Sequence, residues 1–131
     1  MIQTRIIIAL GSNSPCADNI TKAKKLVERT FKEVYFSQTI LTDPIGQLFR
    51  ETRNGELPRK FANCIATALT TLSADEVKEV LKDIEAQCGD SSENRANGLV
   101  LLDADLLLHG KERHHESDWE RPYIRELMKE F

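Results

Sequence analysis

Gly98-Leu99-Val100-Leu101-Leu102-Asp103-Ala104-Asp105-Leu106-Leu107-Leu108 is the stretch on which the reading of this chain turns. A run so rich in leucine is a buried segment, and unpaired charge does not enter such a segment cheaply. Read as a strand, it sends the side chains at i and i+2 from one face. Both carboxylates then reach one point in space, while Leu102, Ala104 and Leu106 pack behind. Asp is depleted in strands, and two on one face repel unless a cation or an arginine neutralises them. Converging carboxylates are how proteins hold Mg²⁺, which takes one or two of them together with waters and substrate phosphates. Asp103 and Asp105 are therefore candidate metal ligands of a triphosphate site. The plainer reading is a solvated sheet face with both carboxylates in water.

Working outward from this strand, the elements alternate in type. Arg5 to Leu10 is β-branched and apolar and ends in the turn formers Gly11 to Pro15. Asp18 or Asn19 can cap a helix with Ile20, Ala23, Leu26, Val27 and Phe31 at helical spacing. A second strand is expected over Val34 to Leu41, broken at Thr42 to Gly46, and the polar stretch from Gln47 to Lys60 reads as a loop. Phe61 to about Thr71 is a third strand. Ser73 with Glu76 makes a capping box for a helix whose apolar face holds Val77, Val80, Leu81, Ile84 and Cys88, stopped by Gly89. Asp90 to Asn97 reads as loop, and Glu116 to Phe131, with Trp119, Tyr123, Leu127 and Phe131 in register, as a final helix. The order strand-helix-strand-strand-helix-strand predicts an α+β ferredoxin-like sandwich, an antiparallel sheet with helices on one face.

Composition narrows the classes. The 131 residues, 40% hydrophobic and 30% charged, suit one soluble globular domain. No apolar run approaches the roughly 20 residues that span a bilayer, and Met1 to Arg5 carries no secretory pattern, so a cytoplasmic protein without membrane contact is expected. Cys16, Cys64 and Cys88 are odd in number and widely spaced, which fits reduced thiols better than disulfides or a zinc site. A net charge of −3 argues against a nucleic-acid surface.

Five motifs in order carry a resemblance: Ile8-Ala9-Leu10-Gly11-Ser12-Asn13, Thr42-Asp43-Pro44-Ile45-Gly46, Phe61-Ala62-Asn63, Ile84-Glu85 before Gly89, and Leu102-Asp103-Ala104-Asp105-Leu106-Leu107. Together they resemble the 6-hydroxymethyl-7,8-dihydropterin pyrophosphokinase family over nearly the whole chain, residues 1–131 forming one such domain. The resemblance implies transfer of the β,γ-pyrophosphoryl unit of ATP to a pterin hydroxymethyl group in folate biosynthesis. It implies two Mg²⁺ ions with ATP on Asp103 and Asp105, and a pterin held by Thr42, Pro44, Ile45, Gly46, Phe61 and Asn63. Glu85 matches a family carboxylate near the nucleotide, and Arg95, Arg113 and Arg121 are the candidates to neutralise its phosphates. In the family a catalytic His is followed six residues on by an Arg and two later by a ring-stacking aromatic. Aligned on Trp119, that pattern gives Arg125 as the catalytic arginine and Leu127 in the aromatic position.

Departures from the family stand beside these matches. A family Pro-Arg falls on Leu99 and Val100, two further arginines on Asp90 and Ser92, and a pterin-stacking aromatic on Asn97. Arginine is the residue best shaped to clamp phosphate oxygens, so these losses raise a second expectation, a weak or inactive relative serving as a ligand-binding or regulatory module. A nucleotide-sugar transferase with Asp-x-Asp as its metal motif is a third reading, for which the chain is short.

Overall fold

The computed structural model describes residues 2–13, 18–43 and 60–131. Among the described residues six strands form one antiparallel sheet: β1 (Thr4–Ser12), β2 (Lys32–Phe36), β3 (Ile40–Thr42), β4 (Phe61–Thr70), β5 (Asp103–His109) and β6 (Glu112–Arg113). Their order is β2-β4-β1-β5-β6, with β3 also paired to β4. This is the α+β ferredoxin-like class expected from the element order.

β1 reads as a continuous apolar run because both of its faces are covered. Ile6, Ile8 and Leu10 point into one core with α1 (Asp18–Thr30) and α2 (Ala74–Gln87). Alternation sends Ile7 to the other face, where it meets Ile65 and Leu107. The capping box of α2 forms as expected: Glu76 N–H donates to Ser73 Oγ at 3.2 Å and Ser73 N–H to Glu76 Oε1 at 3.0 Å. Gly89, at φ +87°, turns the chain away past the helix end.

Four local expectations are corrected. The strand over Val34 to Leu41 is two strands, because buried Ser37 intervenes: its N–H donates to Ile65 O at 2.8 Å and its Oγ accepts from Ile65 N–H at 2.9 Å. Asp90 to Asn97 is not all loop; Ser91 Oγ accepts from Asn94 N–H and starts the short α3 (Ser92–Ala96). The aspartate strand begins only at Asp103. Before it, Asn13 Oδ1 accepts from Val100 N–H at 2.7 Å and Asp90 Oδ1 from Leu101 N–H at 3.1 Å, so side chains take the backbone groups a strand would pair. The final helix is a 3₁₀ turn (Glu116–Glu120) followed by α4 (Pro122–Met128), since the residue before a proline leaves the helical region and Arg121 sits at ψ 134°.

Helices do not all lie on one face. α1 and α2 do, but Ile124 and Leu127 of α4 pack on Ile7, Ile65 and Leu107 from the opposite side. Those three residues would otherwise leave an apolar surface in water. Cys64 and Cys88 are free buried thiols, and Cys16 lies outside the described residues. Among the described residues no helix is long and apolar enough to cross a membrane.

Candidate active site

Strand register builds the site in two rows on the α4 side of the sheet. Gly11 stands between Asn63 on β4 and Asp103 on β5, and Ala9 between Ile65 and Asp105. Antiparallel neighbours directly opposite share a face, so both aspartates rise over the same floor as Asn63. Leu102, Ala104 and Leu106 are buried beneath, as the alternation requires. The central strand offers only Gly11 and Ala9 here, and the missing bulk opens a cavity of about 230 Å³ lined by Thr42, Asp43, Phe61, Asn63, Asp103, Asp105, Asp118, Arg121 and Tyr123 around that floor. A Cβ on Gly11 would stand 3.0 Å from Asn63 Oδ1, so glycine is what lets the amide lie over β1.

Asn63 is buried and donates through Nδ2 to Thr42 Oγ1 at 2.7 Å. The same nitrogen makes a longer contact of 3.4 Å to Phe61 O, so the Oδ1 acceptor is what is left for a ligand. Phe61 presents its ring to the same cavity. Pro44, Ile45 and Gly46 lie outside the described residues, so the turn assigned to substrate binding is represented by Thr42 and Asp43 alone.

The 3₁₀ turn and the start of α4 close the cavity. The break at Arg121 sends Arg121 and Tyr123 toward it, while Ile124 and Leu127 enter the core. Arg121 Nε donates to Asp118 Oδ1 at 2.9 Å, and His115 Nε2 lies 3.8 Å from Asp105 Oδ1. His115, Arg121 and Tyr123 show the same spacing, six and then two, that an alignment on Trp119 assigns to Trp119, Arg125 and Leu127. The earlier register is the one whose side chains reach the site. Arg125 is exposed on an ion pair with Glu120, Leu127 is core, and Trp119 stacks on Arg113, whose guanidinium carbon is 4.2 Å from the ring centroid. Arg113 is thus engaged outside the cavity lining.

Arg95 borders the site through Asp103. It reaches Asp90 at 2.7 Å, Asp103 at 3.4 Å and Glu85 at 3.8 Å, and donates to Leu102 O at 3.1 Å. Glu85 Oε2 in turn accepts from Ala104 N–H at 2.8 Å, which ties α2 to the aspartate strand. Asp90 is therefore a structural anchor for the segment before β5.

Charge in the cavity is lopsided. Among its described lining residues, Arg121 is the one cation against Asp43, Asp103, Asp105 and Asp118. Burial, then the charge of Asp103 close by and a hydrogen bond with it, with Asp118 and Glu85 adding, push the Asp105 carboxyl up to about 7. Burial raises Glu85 as well, with Asp103 and Asp90 adding to the rise and the Ala104 N–H and Arg95 opposing it. Such an all-oxygen, under-neutralised set is fitted to a hard divalent cation.

Sequence reasoning gave no role to Asp118, Tyr123, Ala9 or Gly11. The available signal was the second register of the His, Arg and aromatic spacing, together with Pro122, which breaks the helix just where those side chains must turn inward.

Compared with known proteins, residues 7–131 match the sequence model of the 7,8-dihydro-6-hydroxymethylpterin-pyrophosphokinase (HPPK) family. The chain is also 30% identical over 129 residues to a curated relative, the folate synthesis bifunctional protein of Arabidopsis thaliana, with 91% of this chain covered. It spans 25% of that relative's length.

Proposed function

This chain belongs to the 7,8-dihydro-6-hydroxymethylpterin-pyrophosphokinase family, and from that premise we propose that it transfers the β,γ-pyrophosphoryl unit of ATP to the hydroxymethyl group of a dihydropterin, releasing AMP. We assign residues 1–131 to one catalytic domain acting in the cytoplasm. The observation that carries the reading is the pair of rows Asn63–Gly11–Asp103 and Ile65–Ala9–Asp105, which sets an amide and two carboxylates around one small floor.

The cavity of about 230 Å³ suits one flat heterocycle and leaves the triphosphate to lie along its open, acidic side. Asn63 can accept through Oδ1 and, by giving up its 3.4 Å contact with Phe61 O, donate to the mixed hydrogen-bonding edge of a pterin, and Phe61 and Tyr123 supply aromatic walls. Asp103 and Asp105 would hold Mg²⁺, two ions in our reading. When bound, the metal neutralises phosphate charge and lowers the cost of bringing anion and carboxylates together. Arg121 is the lining guanidinium available to phosphate oxygens, once released from Asp118. Asp105 must lose its proton before it can serve as a ligand, so its high proton affinity ties metal uptake to pH. With family arginines replaced by Val100, Asp90 and Ser92, we expect weak ATP binding and turnover that depends strongly on divalent ion.

The test is AMP release from ATP with 6-hydroxymethyl-7,8-dihydropterin and Mg²⁺. We expect metal-dependent AMP formation, reduced by about 10²-fold or more in Asp105→Asn. Pterin binding, measured by fluorescence, should survive in that variant, showing that the acceptor pocket is intact. No AMP from well-folded protein at saturating ATP overturns the proposal.

A further inference from the structure

We propose that Asp105, His115 and Asp118 form a protein-only binding site for a divalent transition ion of the Mn²⁺, Co²⁺ or Zn²⁺ class, separate from the phosphate-dependent use of Asp103. One ring nitrogen and one oxygen of each carboxylate lie within 4.8 Å of one another. The imidazole stands between the two acids, with Nε2 3.8 Å from Asp105 Oδ1 and Nδ1 3.9 Å from Asp118 Oδ2. First-row ions bind nitrogen and oxygen at about 2.0–2.2 Å, which spaces donor atoms about 3–4.4 Å apart, so the three groups need close only slightly.

The three ligands come from different elements. Asp105 is on β5, His115 precedes the 3₁₀ turn, and Asp118 is within it. Arg121 already holds Asp118 Oδ1 at 2.9 Å, and this outer contact fixes the carboxylate with its second oxygen toward His115. Imidazole is what distinguishes the site: Mg²⁺ prefers oxygen donors, while nitrogen is favoured by the later divalent ions. An ion here would be held without any nucleotide, at the wall of the cavity that Asp105 and Asp118 line.

The test uses the full chain with Mn²⁺ alone. Pulsed electron paramagnetic resonance should detect a ¹⁴N coupling from the imidazole in the wild-type protein, a readout that needs no variant. Titration calorimetry should give one Mn²⁺ site without nucleotide, weakened at least about ten-fold by His115→Ala and by Asp118→Asn, and less by Asp103→Asn. Absence of the nitrogen coupling overturns the proposal, as does equal Mn²⁺ affinity in wild type and His115→Ala. Because these measurements contain neither ATP nor pterin, their failure is distinct from a failure of the pyrophosphokinase reading.

Discussion

At Asp105 the backbone register and the charge pattern pull in opposite directions. Alternation along β5 obliges its side chain to share a face with Asp103, and burial beside Asp118 and Glu85 then favours the protonated form. An ordinary Asp titrates at 3.8, whereas this one is raised to about 7. Between those values the folded chain keeps a proton that the unfolded chain has lost, so stability falls as pH rises through the window and the full cost stands above it. Asp105→Asn, which cannot ionise, should therefore melt several degrees above wild type near pH 8 and close to it near pH 4. Thermal unfolding at both pH values checks this, and an equal shift at the two would contradict it. The pairing of Asp103 with Asp105 was legible in the sequence because two-residue alternation is rigid. The convergence of Asp118 and His115 was not, since it depends on a turn that swings back over the sheet.

Among the elements, the best-read segments were those whose ends carry chemistry. Ser73 and Glu76 announced α2, and the apolar run announced β1. β2 and β3 merged in the sequence reading because Val34 to Leu41 has strand composition throughout, and the interruption comes from one hydroxyl. Ser37 Oγ replaces a strand partner for the Ile65 N–H. Ser37→Ala would leave that buried donor unpaired and should cost about 1–3 kcal/mol, measured by denaturant unfolding. A change below about 0.5 kcal/mol would mean that water or a shifted backbone serves instead. The C-terminal segment was misread for a related reason: helical spacing of Trp119, Tyr123 and Leu127 outweighed Pro122, although the proline decides where the helix starts.

The whole molecule is a sheet with a core on each side, unequal in size. The larger lies under α1 and α2, and the smaller gathers Ile7, Ile65 and Leu107 under α4. The second core was not legible, since β1 and β4 carry apolar residues toward both faces and nothing local says what covers the far one. Leu127 is fully buried there. Leu127→Ala should destabilise the protein by about 2–5 kcal/mol and reduce turnover with it, because the same short helix seats Tyr123 at the cavity. Unfolding at an unchanged midpoint would be incompatible with this packing. Arg95, set among Asp90, Glu85 and Asp103, has a last consequence at this scale. An anion that drew the guanidinium to itself would strand three like charges behind it. A polyanion arriving with its cations beside it would meet less repulsion here than a bare one.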